Sequence, residues 1–203
     1  MRDLVVSSFI TLDGVMQAPG GPEEDPSGDF EHGGWSFGYW DEGMQQRMGE
    51  WMSEPFDLVL GRKTYEIFAA FWPRNPDEPG ADVLNNATKY VASTTLTELD
   101  WEKSNLIEGG VPDGIRALKQ QDGPELQVHG SANLIQTLLE HELIDEFRLM
   151  TFPLVLGKGK RLFDGGTLPD GLEVTSSQVS STGVVTATYR TGAEIKYGSF
   201  ATE

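Results

Sequence analysis

Phe56-Asp57-Leu58-Val59-Leu60-Gly61-Arg62-Lys63-Thr64-Tyr65-Glu66 is the stretch on which the fold turns. Phe56 to Leu60 is a short apolar run without strict alternation, the pattern of a strand covered on both faces. Gly61 ends it, and Gly61-Arg62-Lys63-Thr64 opens a helix that continues to about Phe71. A buried strand running straight into a helix is the unit of a parallel α/β sheet.

The same grammar recurs on either side. Leu4 to Ile10 reads as a buried first strand. Leu126 to His129 is another, followed by Gly130-Ser131 and a helix with Leu134, Ile135, Leu138 and Leu139 on one face. Lys89 to Ser93 is a strand ending in Ser93-Thr94-Thr95, Ser104 to Ile107 a further strand, and Gly114 to Gln121 a helix. Met44, Met48, Trp51 and Met52 fall at helical spacing within Glu42 to Ser53, which Pro55 stops. Pro73 to Pro79 reads as a loop. Asp145 to Pro153, Leu172 to Val179 and Val184 to Arg190 close the chain as strands, the last two joined through Ser181-Thr182-Gly183. The expected fold is a three-layer α/β/α domain over residues 1–203, its sheet mostly parallel with antiparallel C-terminal strands.

Composition narrows the function. Thirty-two acidic residues against fifteen basic ones give a net charge of −17, a surface that repels nucleic-acid phosphates. With no cysteine, disulfides and thiolate metal sites are excluded, in keeping with a reducing cytoplasm. His32, His129 and His141 are too scattered for a metal triad. The start Met1-Arg2-Asp3-Leu4 has none of the features of a secretion signal, and no apolar run reaches membrane-spanning length. A cytoplasmic protein acting on a small molecule is expected, without nucleic-acid or membrane partners.

The junctions Leu60-Gly61-Arg62-Lys63-Thr64, Ala92-Ser93-Thr94-Thr95 and His129-Gly130-Ser131-Ala132-Asn133 fall at the carboxyl ends of strands, where α/β sheets bind ligands. Glycine allows close backbone approach, free amides at a helix start attract phosphate, and Arg62 can grip one bidentately. Each junction alone is equally a turn with a cap; together they point to a nucleotide. The usual dinucleotide fingerprint is missing, since Thr11-Leu12-Asp13-Gly14 follows the first strand. Between Gln17 and Trp40 runs a Gly-, Pro- and acid-rich loop ending in Trp35, Phe37, Tyr39 and Trp40, which either stack a flat heterocycle, close the core edge or meet a second copy. Gly157-Lys158-Gly159-Lys160-Arg161 is the densest basic patch, either a solvated turn or a seat for a substrate phosphate.

In that order, Thr11-Leu12-Asp13-Gly14, Gly61-Arg62-Lys63-Thr64-Tyr65-Glu66, Val91-Ala92-Ser93, His129-Gly130-Ser131 and Pro153-Leu154-Val155-Leu156-Gly157-Lys158-Gly159-Lys160-Arg161-Leu162-Phe163 resemble the dihydrofolate reductase superfamily. The series is most similar to the reductase domain of the bifunctional riboflavin-biosynthesis deaminase–reductase. The resemblance implies NADPH, with Gly61, Arg62 and Thr64 at the pyrophosphate and adenosine-side phosphate, Ser93 and Thr94 near the 2′-phosphate, and Gly130, Ser131, Ala132 and Asn133 as a second phosphate turn. Relatives often carry two glycines there; Ser131 replaces the second.

The implied reaction is hydride transfer to a pyrimidine- or pterin-like heterocycle or a carbonyl, similar to 5-amino-6-(5-phosphoribosylamino)uracil reduction. Dihydrofolate reductases carry a substrate carboxylate on the helix before Gly-Arg; that position falls on Gln45, so folate reduction is not implied. Asp13 and Asp41 remain as catalytic carboxylates, Asp13 alternatively bonding its own turn and Asp41 alternatively capping the Met-rich helix. Trp40, Lys158 and Lys160 are the expected substrate contacts. A non-catalytic nucleotide- or pterin-binding module, or a dimeric interaction protein, are the competing readings.

Overall fold

In the computed structural model, residues 1–164 and 167–200 are described. Eight strands form one sheet: β1 (Leu4–Thr11), β2 (Phe56–Gly61), β3 (Lys89–Ala92), β4 (Ser104–Leu106), β5 (Glu125–His129), β6 (Glu146–Phe152), β7 (Gly171–Val179) and β8 (Val185–Ala193). Their order is β4-β3-β2-β5-β1-β6-β8-β7. The first six strands pair in parallel, while β8 runs antiparallel to β6 and β7 antiparallel to β8. The mostly parallel sheet with antiparallel C-terminal strands is therefore as the sequence implied.

Two-sided burial explains the apolar runs. Leu4, Val6, Val59, Leu126, Val128, Phe147 and Leu149 face α4 (Val111–Gln120) and α5 (Ala132–Glu140), joining Ile115, Leu118, Ile135 and Leu138 in one cluster. From the opposite face, Leu58, Leu60, Val91, Met150 and Phe152 meet α1 (Glu42–Trp51), α2 (Arg62–Phe71) and α3 (Ala81–Asn86) through Met44, Tyr65 and Leu84. Neighbouring residues of β2 thus serve opposite layers, so neither parity is polar.

The structure departs from the local expectations at three places. Helix α3 follows directly on the Pro-rich stretch, where no helix was expected; Gly80, at φ 86°, supplies the left-handed turn that starts it. Helix α4 begins at Val111, three residues early, because Pro112 fits a first helical turn and Gly110 turns the chain at φ 100°. Ser93 to Thr95 lead to β4 rather than to a helix, so this junction has no helix N-terminus. Among the described residues no helix is long and apolar enough to cross a membrane, and no group of three or more His, Cys, Asp or Glu could hold a metal.

Candidate active site

Because β3, β2, β5 and β1 are parallel neighbours, their carboxyl ends share one rim. There a cleft of about 1330 Å³ opens, above the about 300–1,000 Å³ of an ordinary small-ligand pocket. Gly61, Arg62 and Thr64, Ser93 and Thr94, and Gly130 through Asn133 all line the cleft, so the structure brings every expected cofactor residue together.

Ser131 ties the junctions to one another. Gly61 N–H donates to Ser131 Oγ at 3.0 Å, Ser131 N–H donates to Thr64 Oγ1 at 3.0 Å, and the Ser131 hydroxyl donates to His129 O at 3.1 Å. Gly130 and Ser131 both adopt left-handed conformations, at φ 56° and 63°. Neither Gly61 nor Ser131 caps its own helix with a side chain. Two helix starts, α2 and α5, therefore turn uncapped ends toward one cleft, each carrying the positive pole of its dipole. At the β3 end Arg62 Nη1 donates to Thr95 Oγ1 at 2.8 Å and its Nε pairs with the exposed Glu66 at 3.2 Å. Ser93 Oγ accepts from Leu96 N–H at 3.0 Å, which leaves its hydroxyl proton free to donate outward.

Toward β1 the lining becomes apolar and aromatic, with Phe9, Met16, Trp40 and Met48 around Gln45. Trp40 is 46% exposed and leans on Phe9 at 6.0 Å between ring centroids. Its loop neighbours are committed elsewhere: Trp35 and Tyr39 pack edge-on against Phe152 at 5.1 and 5.7 Å. His129 lies on the cleft floor, stacked on Phe56, with Nε2 at 2.8 Å from Gln127 Oε1. Burial, aided by the Arg148 charge, pushes its imidazole down to about 4, so it is neutral at neutral pH.

Neither expected catalytic carboxylate lines the cleft. Asp13 accepts from the Thr11 hydroxyl at 2.5 Å and from the amides of Gly157 at 2.8 Å and Leu156 at 3.2 Å. The Thr11 hydrogen bond, opposed by partial burial and joined by those amides, holds its carboxyl down to about 2. It pins the turn after β1 to the Gly157 loop. Asp41 caps α1 through Met44 N–H at 2.9 Å and accepts from Ser181 Oγ at 2.6 Å. That hydroxyl, with the Met44 amide, holds its carboxyl well below the usual carboxylate range. Both groups are fixed anions bound up in structure, ill suited to donate a proton. Lys158, expected at the substrate, is exposed outside the cleft and donates to Asp29 O at 2.9 Å.

Lys160 does line the cleft, with Lys63 and Asp25. Lys63 Nζ lies 2.7 Å from Asp25 Oδ1 and Lys160 Nζ 2.5 Å from Asp25 Oδ2. Burial alone would raise the Asp25 carboxyl, but hydrogen bonds from Lys160, Lys63 and Ser27 hold it well below the usual range. The sequence reading did not assign Asp25 or Lys63. The available signal was an acidic run, Glu23-Glu24-Asp25, in a chain whose densest basic patch is Gly157 to Arg161.

The mostly parallel sheet with antiparallel C-terminal strands, helices on both faces and a large cleft along its carboxyl rim is that of a dihydrofolate reductase-like α/β protein. More narrowly, the chain belongs to the RibD C-terminal domain family, whose model matches residues 2–186. It is similar to YyaP of Bacillus subtilis, an uncharacterized protein, at 27% identity over 195 residues, covering 93% of this chain and 94% of that one. YwjB of the same organism, also uncharacterized, is 30% identical over 106 residues, covering 52% and 57% respectively. A Shewanella structure named for riboflavin biosynthesis superposes with TM-score 0.68 at 24% identity, covering 95% of this chain and 100% of that one. A pyrimidine reductase-like protein from Corynebacterium diphtheriae gives 0.61 at 10% identity, covering 95% and 93%. These two likenesses establish the fold.

Proposed function

We propose that this chain is an NADPH-dependent oxidoreductase that reduces a small pyrimidine- or pterin-like heterocycle or a carbonyl compound. The observation that carries the reading is the meeting of two uncapped helix starts and Arg62 in one cleft. Such a rim suits a dinucleotide: amides and dipoles of α2 and α5 for the pyrophosphate, and Arg62, Ser93 and Thr94 for a phosphate near β3. The family supports the same class of reaction. NADPH, when bound, supplies the hydride. The chain's own part is to hold the ring and acceptor together and exclude water, with Phe9, Met16, Met48 and Trp40 as apolar walls. Neither Asp13 nor Asp41 belongs to this reading, since neither reaches the cleft.

Titrating purified protein with NADPH and NADH, followed by tryptophan quenching and nicotinamide emission, tests it. NADPH is expected to bind at least tenfold more tightly, about 1.4 kcal/mol from the extra phosphate. Arg62→Ala should erode that preference. Equal affinity for the two cofactors would refute the phosphate assignment, and no binding of either would refute the reading as a whole.

A further inference from the structure

We propose that Asp25 sets substrate class: by occupying Lys63 of the α2 start and Lys160 beyond β6 together, it makes the cleft beyond the cofactor refuse a phosphate and select an uncharged, unphosphorylated acceptor. The inference rests on the reductase reading and goes beyond it.

The basic patch after β6 resembles a ready seat for a substrate phosphate, yet its one cleft-lining ammonium is already paired. Asp25 gives one carboxylate oxygen to each lysine. Its side chain is 14% exposed, while those of Lys63 and Lys160 are 57% and 33% exposed, so the carboxylate is shielded between two cations of which Lys63 keeps a solvated face. The loop that carries it is held in place. Gln17, itself buried, donates Nε2 to Asp25 O and to Ser27 O, both at 2.9 Å, and accepts from Lys160 N–H at 3.0 Å. Glu24 accepts from the amides of Gly20 at 2.6 Å and Gly21 at 3.2 Å. A carboxylate presented this way competes intramolecularly, and an incoming phosphate would have to displace it.

The surrounding charges agree. The cations lining the cleft are Arg62, Lys63 and Lys160, while Glu24, Asp25, Glu78 and Asp82 line it as acids. Once a dinucleotide has taken Arg62 and the helix starts, the cations left in the lining are Lys63 and Lys160, both already on Asp25, with Glu24, Glu78 and Asp82 as further acids. The rest of the lining toward β1 is Phe9, Met16, Trp40 and Met48 with the neutral amide of Gln45. That lining suits a flat, uncharged ring or carbonyl.

Inorganic phosphate is the probe. With the cofactor sites filled by saturating NADP⁺, phosphate is titrated by thermal shift and by ³¹P line broadening at constant ionic strength. Wild type, Asp25→Asn and the double variant Asp25→Asn/Lys160→Met are compared. Wild type should show no saturable response. Asp25→Asn should gain a saturable site at least tenfold tighter than any in wild type, and the double variant should lose it. Phosphate binding as tight in wild type as in Asp25→Asn would overturn the proposal, as would no gain in Asp25→Asn. NADP⁺ binding, measured first in each protein, separates the two ideas: its failure in wild type removes the reductase reading, whereas failure of the phosphate series alone removes only the role of Asp25. Should Asp25→Asn fold poorly, Asp25→Ser is read the same way.

Discussion

Ser131 offers a test in which stability and binding can be worked out separately. It is a non-glycine residue at φ 63° and ψ 48°, a conformation that costs an L-residue about 1–2 kcal/mol. Its Oγ accepts from Gly61 N–H at 3.0 Å and donates to His129 O. Ser131→Ala keeps the strain and strips the half-buried Gly61 amide of its partner, costing roughly 2 kcal/mol. In a chain of 203 residues that is a fall in Tm of roughly 4–8 °C. Ser131→Gly loses the same hydroxyl but relieves the backbone. Offset by the larger entropy of an unfolded glycine, the relief leaves it about 1 kcal/mol more stable than the alanine variant. The order wild type, then Gly, then Ala should appear in urea or thermal denaturation. Both variants should also bind NADPH more weakly, because Gly61 and the α2 start are no longer held to α5. An alanine variant as stable as the glycine one would refute the strain argument. Unchanged cofactor affinity in both would refute the coupling of the two helix starts.

Lys89 and Asp41 supply two further tests. Lys89 is fully buried, donating to Asn85 O at 2.7 Å and lying 4.0 Å from the centroid of the Trp101 ring, and burial lowers its ammonium from 10.5 to about 8. Between those pH values the unfolded chain holds a proton that the folded one has released, so stability relative to Lys89→Met should rise with pH by on the order of 3 kcal/mol, and below about 8 the charge penalty is fully present; urea unfolding at both ends of the window would refute this by giving a constant gap. Asp41→Ala should lower Tm, through loss of the α1 cap and of the tie to the Ser181 turn, while kcat with any accepted substrate stays unchanged; a collapse of kcat in a folded variant would restore Asp41 as a catalytic group.

The fold was legible because burial on both faces writes itself locally. Leu58, Val59 and Leu60 are all apolar because α2 and α3 cover one side of β2 and α4 and α5 the other. The Gly61 and Gly130 junctions were legible for a related reason, since each is a strand end, a turn and a helix start within five residues of sequence. Helix α3 was hidden: at six residues it is too short to show a periodic face beside the Pro- and Gly-rich run before it. The fates of Asp13 and Asp41 were hidden differently. Their partners, Gly157 and Ser181, lie 144 and 140 residues away, and no local pattern distinguishes a carboxylate in a cleft from one clamping a distant loop. Asp25 belongs to the same class, with Lys63 38 residues and Lys160 135 residues along the chain.

Seen along the rim from β3 to β1, the cleft changes its attitude to charge. At one end, α2 and α5 present uncapped starts, and Arg62 meets the Thr95 hydroxyl and the exposed Glu66, a weak and screened anion that a phosphate can outcompete. Toward the other, Lys160 shares a shielded carboxylate with Lys63, which reaches it from the first turn of α2, and a phosphate would have to displace that carboxylate. The two ends differ in where the compensating anion stands, and at physiological ionic strength the contacts are shorter than the Debye length of about 8 Å. A net charge of −17 repels anions by their charge and not by their shape, and so gives no preference for a cofactor over a phosphorylated competitor. The choice is made within a few ångströms, by the position of one aspartate.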